Sequence, residues 1–283
     1  MTLFVRDVVA VLEGLYPPRT AQSWDRVGLV TGDPEQPVRR VHVALDPTLA
    51  VIAEAVDAQA DLLVTHHPLL LRGVHSVATT SAKGAGVTSL VVGDVALYVA
   101  HTNADVAAGG VSDALGEAAG LTDLAPLAVV EGQALGRVGR LAQPTTLAEL
   151  VTRLHAALPR AAGGLRVAGP ADATVRTVAV LGGSGDDLFE AVRESGADVY
   201  VTADLRHHPA LEAREEARGG PPYLVDAGHW SSEAVWLPRL RAALLDALAV
   251  DSGDGPRVEV HTSTVRTDPW DFVVGAVAPG GMP

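Results

Sequence analysis

The chain of 283 residues contains no cysteine, and this absence removes two classes of site at once. Disulfide bonds cannot form, and no metal ion can be held by thiolate ligands. A metal site in this protein must therefore use histidine, aspartate, glutamate or water as ligands. A chain without disulfides also fits the reducing environment of the cytosol.

Basic residues are scarce as well, because 21 lysines and arginines face 34 aspartates and glutamates, and the formal net charge is −13. Binding to nucleic acid depends on contacts of lysine and arginine with phosphates, so this charge argues against a nucleic-acid partner. No apolar run is long enough to span a membrane, and residues 1–16 lack the features of a secretory signal. We therefore expect a soluble, cytoplasmic protein with no membrane partner.

One pattern of strands and helices occurs twice along the chain. Its first copy places a strand, a helix and a strand at 41–45, 47–58 and 61–64, and its second copy places them at 178–181, 186–195 and 198–201. A histidine pair follows each copy, first His66-His67 and then His207-His208. Because the links are short, both copies predict parallel strands that are joined by right-handed crossovers.

The duplication predicts the α/β fold class, with two interlinked, similar α/β domains of mostly parallel strands and duplicated strand-helix-strand units. Glycine and proline cluster at 132–144 and at 219–222, where we expect the chain to pass between the domains. We place a metal-binding α/β domain at 1–128 plus 219–283 and a second, inserted α/β domain at 129–218. Two further strands are predicted in the tail, at 258–265 and 272–277.

The most informative feature is the pair His66-His67, which ends an apolar strand and is followed by Pro68. Neighbouring side chains within a strand point to opposite faces, but at a strand terminus both rings can turn toward one cavity. Ligands of α/β sheets bind beyond the carboxyl ends of strands. We interpret the pair as metal ligands, and the alternative is a pair of surface histidines that ends a strand.

Five residues form a candidate ligand set. His66 and His67 follow one strand, Asp105 follows another, and His229 and Glu233 are four residues apart, which would place them on one helix face. Three imidazoles and two carboxylates suit zinc, manganese, iron, nickel or cobalt. Because five ligands exceed the need of a closed tetrahedral site, they favour two divalent transition-metal ions per chain with positions for water.

Other residues receive supporting roles. We place His101 and Asp25 beside the ligands, which they would orient. His208 is a candidate acid or base, and Glu233 is the second catalytic candidate. Two alternatives stay open, because Asp105 could cap the helix that follows it and the His-x-x-x-Glu pair could be solvated.

The segment Gly182-Gly183-Ser184-Gly185 follows a strand and precedes a helix. Its backbone N–H groups could bind a phosphate, as helix N-termini do. The segment lacks the Lys-Ser/Thr ending of a nucleotide-binding P-loop. A tight turn with Ser184 or Asp186 as the helix cap is at least as good an interpretation.

Taken together, these motifs resemble a known family over nearly the whole chain. The matching stretches are Ser23–Gly28, Thr65–Pro68, His101–Asp105, Gly182–Gly185, Asp198–His208, Gly228-His229 and Glu233. In this order they resemble the NGG-one-interacting factor three family, also known as GTP cyclohydrolase I type-two homologues. The resemblance implies a dinuclear metal centre and a homo-hexameric toroid with its metal sites facing the interior. It also implies that His66 and Asp105 hold one ion, that His67 and His229 hold the other, and that Glu233 contacts both.

Three hypotheses for function follow. The first is a metal-dependent hydrolase that acts on a nucleotide such as GTP, or on another phosphate-containing small molecule, because paired ions activate water. The second is a ring-shaped regulatory or scaffolding protein with protein partners, whose metals are structural or sensory. The third is binding of nucleic acid threaded through the ring, against which the acidic composition argues.

Overall fold

The computed structural model describes residues 2–252 and 258–275, and the chain divides into two compact units. The first unit comprises Met1–Gly110 and Trp236–Thr267, and the second comprises Val111–Val235 and Asp268–Pro283. In the described part of the chain, no helix is both long enough and apolar enough to cross a membrane.

The secondary structure alternates between strands and helices along most of the chain. The strands are β1 (Gly28–Thr31), β2 (Arg40–Ala44), β3 (Leu62–Thr65), β4 (Ala96–Val99), β5 (Leu121–Val130), β6 (Gln133–Thr146), β7 (Arg166–Ala168), β8 (Thr174–Ser184), β9 (Val199–Ala203), β10 (Tyr223–Asp226) and β11 (Glu259–Thr262). The helices are α1 (Val5–Leu15), α2 (Leu49–Asp57), α3 (Ala82–Val92), α4 (Thr102–Val106), α5 (Val111–Ala118), α6 (Leu147–Ala157), α7 (Phe189–Ser195), α8 (His207–Glu216), α9 (His229–Ala234) and α10 (Leu237–Ser252). Short 3-10 turns lie at Pro18–Thr20 and Asp186–Leu188.

The first unit contains a sheet with the strand order β1-β4-β3-β2-β11. Strands β4, β3, β2 and β11 run parallel to their neighbours, and β1 pairs antiparallel with β4. All residues of β3 and β4 are buried, as expected of central parallel strands that are covered on both faces. Part of the core is formed by Ile52 of α2 and Leu90 of α3, which belong to one apolar cluster with Leu63 and Leu97 of the sheet.

The second unit contains a sheet with the order β5-β6-β8-β9-β10-β7. Its strands β8, β9 and β10 are parallel, whereas the hairpin β5–β6 and the edge strand β7 pair antiparallel. Helix α6 begins with a capping box of Thr146 and Glu149 and buries Leu147, Leu150 and Leu154 in the core. Each such leucine contributes roughly 1.5–3 kcal/mol by leaving water.

The predicted α/β class and its duplicated strand-helix-strand units are confirmed down to individual hydrogen bonds. The carboxylate of Asp61 accepts two backbone N–H groups that lie 21 and 22 residues earlier in the chain, at 2.8 and 2.7 Å. The carboxylate of Asp198 accepts two N–H groups at the same separations, 21 and 22 residues, both at 2.8 Å. In both units this aspartate, which lies just before a strand, therefore fixes that strand against its parallel neighbour.

The division by contacts differs from the predicted boundaries at residues 128 and 218. Residue 128 lies inside β5, and residue 218 follows α8 within the second unit. Gly132, which suggested a break in the chain, has a φ of 78° and makes the tight turn between β5 and β6. The domain limits themselves stay predictions.

Only one of the two predicted tail strands is found in the described residues. The first, predicted at 258–265, is β11. The second, predicted at 272–277, is not a strand over 272–275, and residues 276–277 lie outside the described part. Phe272 and Val274 are 77% and 85% exposed, so the apolar pattern there does not reflect burial in a sheet.

Candidate metal centre

In the first unit, three histidines meet beyond the ends of β3 and β4. The backbone N–H groups of His66 and His67 donate to the carbonyls of Ala44 and Leu45, at 3.3 and 2.9 Å, so the parallel ladder continues past β3. Ring nitrogens of His66, His67 and His101 lie within 4.8 Å of one another. The structure thus brings two predicted ligands together with a histidine that was predicted to lie beside them.

Asp105, the third predicted ligand of this unit, belongs to helix α4. Its Oδ1 lies 3.6 Å from Nε2 of the fully buried His66. The backbone N–H of Asp105 donates to the carbonyl of His101, at 3.2 Å. Asp105 is therefore a residue of the first helical turn and not the cap of a later helix.

The orientation of His66 and His67 is fixed through Nδ1. Nδ1 of His66 donates to the carbonyl of Ala100 at 2.9 Å, and Nδ1 of His67 is 2.7 Å from Oδ1 of Asp46. A carbonyl can only accept, so in the neutral ring of His66 the hydrogen is on Nδ1 and the lone pair is on Nε2. Metal-binding histidines characteristically have this arrangement, in which an oxygen acceptor fixes the tautomer and the ring direction.

Asp25 orients the ring of His101 in the same way, and it also caps the start of α4. Its carboxylate accepts Nδ1 of His101 at 2.9 Å and the N–H and hydroxyl of Thr102 at 3.1 and 2.6 Å. Burial by itself would raise the pKa of Asp25, but the hydrogen bonds from His101 and Thr102 lower it. A buried, ionised carboxylate thus holds the His101 ring in place.

In the second unit, the other two predicted ligands lie one turn apart on α9, as their spacing predicts. Nε2 of His229 is 3.2 Å from Oε1 of the buried Glu233, and Nδ1 of His229 is 2.7 Å from Oδ2 of Asp204. Burial alone would lower the pKa of His229, but hydrogen bonds and charge from Asp204 and Glu233 raise it to about 11. The two carboxylates thus favour the protonated ring, so binding of a metal at Nε2 would be coupled to release of that proton.

The glycine-rich segment Gly182–Gly185, whose first three residues are the end of β8, packs against these two residues. A Cβ at Gly183 would lie 2.3 Å from Oε1 of Glu233 and 3.4 Å from Nε2 of His229, and the φ of Gly183 is +70°. The N–H of Gly183 donates to Oγ of Ser232 at 3.0 Å. Close packing of backbone against Glu233 therefore explains the glycine here without a phosphate ligand.

The second histidine pair takes a different place from the first. His207 and His208 begin helix α8, are exposed, and meet each other edge to face with ring centroids 5.1 Å apart. His208 therefore lies on a helix surface and not at the end of a strand.

Comparison with known proteins agrees with this architecture. The model of the family described as Duf34/NIF3 (NGG1p interacting factor 3) matches residues 3–269. The chain belongs to the NIF3 family. Among its NIF3 relatives, a Streptomyces coelicolor protein named GTP cyclohydrolase 1 type 2 homolog is 50% identical over 269 residues, which are 93% of this chain and 92% of that protein.

Two further NIF3 comparisons extend over nearly the whole chain. A Mycobacterium bovis protein, also named GTP cyclohydrolase 1 type 2 homolog, is 34% identical over 381 aligned positions, with 96% of this chain and 98% of that protein covered. The crystal structure of a Bacillus cereus protein related to NIF3 has 26% identity and a TM-score of 0.85, with 96% of this chain and 99% of that chain covered.

Sequence reasoning missed two carboxylates that orient proposed ligands, Asp46 and Asp204, and it singled out Gly183 without its packing against Glu233. Asp204 is the first residue after β9, and Asp46 is the second residue after β2. Both carboxylates thus follow parallel strands, where the histidines were also found. Examining every carboxylate within two residues of a strand end would have identified both of them.

Proposed function

We propose that this protein is a dinuclear metal-dependent hydrolase, with His66, His67, Asp105, His229 and Glu233 as metal ligands. The observation that supports it best is shared by the three proposed imidazole ligands. Each has Nδ1 held by an oxygen, from Ala100, Asp46 or Asp204, so that Nε2 is the coordinating atom. Surface histidines have no need of such fixed tautomers.

The donor set also fits divalent transition metals. Neutral imidazole nitrogens with carboxylate oxygens suit zinc, manganese, iron, nickel or cobalt. When bound, two such ions lower the pKa of water and stabilise negative charge on the group that water attacks. Glu233, buried and supported by Gly183, would hold its carboxylate in one orientation during turnover.

We propose a nucleotide or another phosphate-containing small molecule as substrate. The names of the Streptomyces coelicolor and Mycobacterium bovis relatives contain GTP cyclohydrolase, so GTP is the first compound to assay and a generic phosphodiester is the second. His208, exposed at the start of α8, stays a proposed acid or base for proton transfer. From the family resemblance we also propose a homo-hexameric ring that works in the cytoplasm.

The second candidate function is a regulatory or scaffolding ring. The observation that favours it is a run of exposed apolar side chains, Trp270, Phe272, Val273 and Val274, which are 67%, 77%, 52% and 85% exposed. Exposed apolar clusters are typical of surfaces that bind other proteins. In this case the metals would stabilise the structure or sense the metal supply.

Elemental analysis of purified protein tests the metal site directly. We expect the wild type to contain two ions per chain, and we expect His67→Ala and Glu233→Gln to contain fewer. His155→Ala, which removes an exposed histidine from α6, is the matched control and should leave the metal content unchanged. Equal metal content in all four proteins would refute the ligand assignment.

Turnover and assembly then separate the two functions. If metal-loaded wild type hydrolyses GTP or a phosphodiester and Glu233→Gln retains its oligomeric state but loses turnover, the hydrolase is supported. If neither substrate is turned over and Glu233→Gln loses its assembly, the scaffold is supported instead.

A further inference from the structure

The chain that follows β11, residues 263–267, is bound to two carboxylates of the first unit. The first carboxylate is Glu54 of α2, which accepts the hydroxyl of Ser263 and both the N–H and the hydroxyl of Thr264, the latter two at 2.9 and 2.6 Å. Nε2 of His42 is also 3.0 Å from Glu54. These contacts fix the course of the segment immediately after the strand.

The second carboxylate is Asp46, and it connects this segment to a proposed metal ligand. The hydroxyl of Thr267 donates to Oδ2 of Asp46. The other carboxylate oxygen, Oδ1, lies 2.7 Å from Nδ1 of His67. Asp46 therefore binds Thr267 with one oxygen and His67 with the other, across a sequence separation of 221 residues between Thr267 and Asp46.

We propose that Thr267 is a positioning residue for the metal ligand His67 and acts through Asp46. This inference rests on the proposed metal-binding function. Asp46 lies in the short connection between β2 and α2, where its carboxylate can rotate about two side-chain bonds. A hydroxyl donor on Oδ2 restricts that rotation and keeps Oδ1 directed at Nδ1 of His67, which in turn directs Nε2.

The coupling has a chemical consequence as well as a geometric one. A carboxylate that accepts the Nδ1 hydrogen makes the imidazole a better donor to a metal, and partners of this kind affect metal affinity about 10- to 100-fold. Thr267 is one hydrogen bond further from the metal than Asp46. We therefore expect its hydroxyl to affect Zn²⁺ affinity about 3- to 10-fold, less than Asp46 itself.

Zn²⁺ affinity, measured by competition with a chromophoric chelator, tests the proposal on the full chain. We expect Thr267→Val to weaken Zn²⁺ binding about 3- to 10-fold and Thr267→Ser, which restores a hydroxyl, to recover most of the loss. The matched control is Thr264→Val, which removes a hydroxyl of the same segment that binds Glu54 instead of Asp46. Thr264→Val should keep wild-type Zn²⁺ affinity even where it lowers the unfolding midpoint.

A double-mutant cycle tests the route through Asp46. We expect Asp46→Asn to weaken Zn²⁺ binding about 10- to 100-fold and Thr267→Val to add nothing further in that background. A wild type that binds no Zn²⁺ would overturn both this inference and the proposed function. A wild type that binds Zn²⁺ as tightly as Thr267→Val would overturn the role of Thr267 alone, and additive effects would overturn the route through Asp46.

Discussion

The two units use one backbone arrangement and assign different chemistry to it. In the first unit Ala100 donates its N–H to Thr65, and in the second Ala227 donates to Thr202, at 2.9 and 2.7 Å, so these strand ends correspond. Two residues after Thr65 the chain has the proposed ligand His67, whereas two residues after Thr202 it has Asp204. The position of a proposed ligand in one unit is thus the position of a carboxylate that contacts a proposed ligand in the other.

This exchange shows what a duplication preserves. The contacts that set strand register recur because both units need the same pairing of parallel strands, and Asp61 and Asp198 accept N–H groups at the same two sequence separations. The polar side chains beyond the strands are under no such requirement. The proposed ligands therefore cannot be transferred from one unit to the other by matching histidine pairs, because the repeats, aligned on Thr65 and Thr202, place Asp204 and not His207 or His208 at the position of His67.

The largest effect is expected from a substitution at Gly183, which packs against Glu233 in the second unit. Gly183→Ala would place a Cβ 2.3 Å from Oε1 of Glu233 at a φ of +70°, so Glu233 must move away from its position beside His229. We expect a loss of roughly 2–3 kcal/mol in the free energy of unfolding and at least a tenfold weaker affinity for Zn²⁺. Denaturant unfolding and chelator competition measure the two effects.

Gly196→Ala separates backbone strain from the contact with Glu233. Gly196 has nearly the same φ, +67°, but a Cβ there would have nothing within 4 Å. We expect this variant to lose about 1 kcal/mol and to bind Zn²⁺ normally. If Gly183→Ala also binds Zn²⁺ normally, the close approach of Gly183 does not position Glu233.

The second prediction concerns the feature that both units share, namely an aspartate that holds one strand against its neighbour. Asp61→Ala and Asp198→Ala each remove a half-buried carboxylate that accepts two backbone N–H groups. We expect each to lower the free energy of unfolding by roughly 1–2 kcal/mol, and the two losses to be alike. Losses that differ by more than about 1 kcal/mol would show that the matching hydrogen bonds have unequal weight in the two units.

Much of the fold could be predicted from the sequence because its determinants are local. Apolar runs define β3 and β9, and the match between Asp61 and Asp198 reveals the repeat. The contacts that orient the histidine rings are different, because no pattern in the sequence connects the segments that they join. Thr267 and Asp46, for example, are 221 residues apart. The role of Gly132 is a related case, because a glycine looks the same in the sequence whether it makes a hairpin turn or lies in a linker.

The third prediction concerns stability at acid pH and Glu54, the carboxylate that binds Ser263 and Thr264. Burial alone would raise the pKa of Glu54, but hydrogen bonds from Ser263 and Thr264 lower it to about 2. A folded-state pKa below the ordinary value of 4.5 stabilises the protein above pH 4.5, and this stabilisation is lost as the pH falls toward 2. We expect Glu54→Gln to lower the free energy of unfolding by about 1 kcal/mol at pH 7 and by less at pH 3.

The smallest effect is expected at Glu149, a carboxylate of the second unit that binds only neighbouring residues. Hydrogen bonds from Thr145 and Thr146 lower the pKa of Glu149 to about 2 as well, but these partners are only three and four residues away. We expect protonation of Glu149 to affect only the first turn of α6, whereas protonation of Glu54 weakens contacts with a segment some 210 residues distant. Unfolding of Glu149→Gln and Glu54→Gln at pH 7 and pH 3 should therefore show the same sign and a smaller change for Glu149→Gln. An equal or larger change for Glu149→Gln would mean that sequence separation of the partners does not determine how much a carboxylate stabilises this fold.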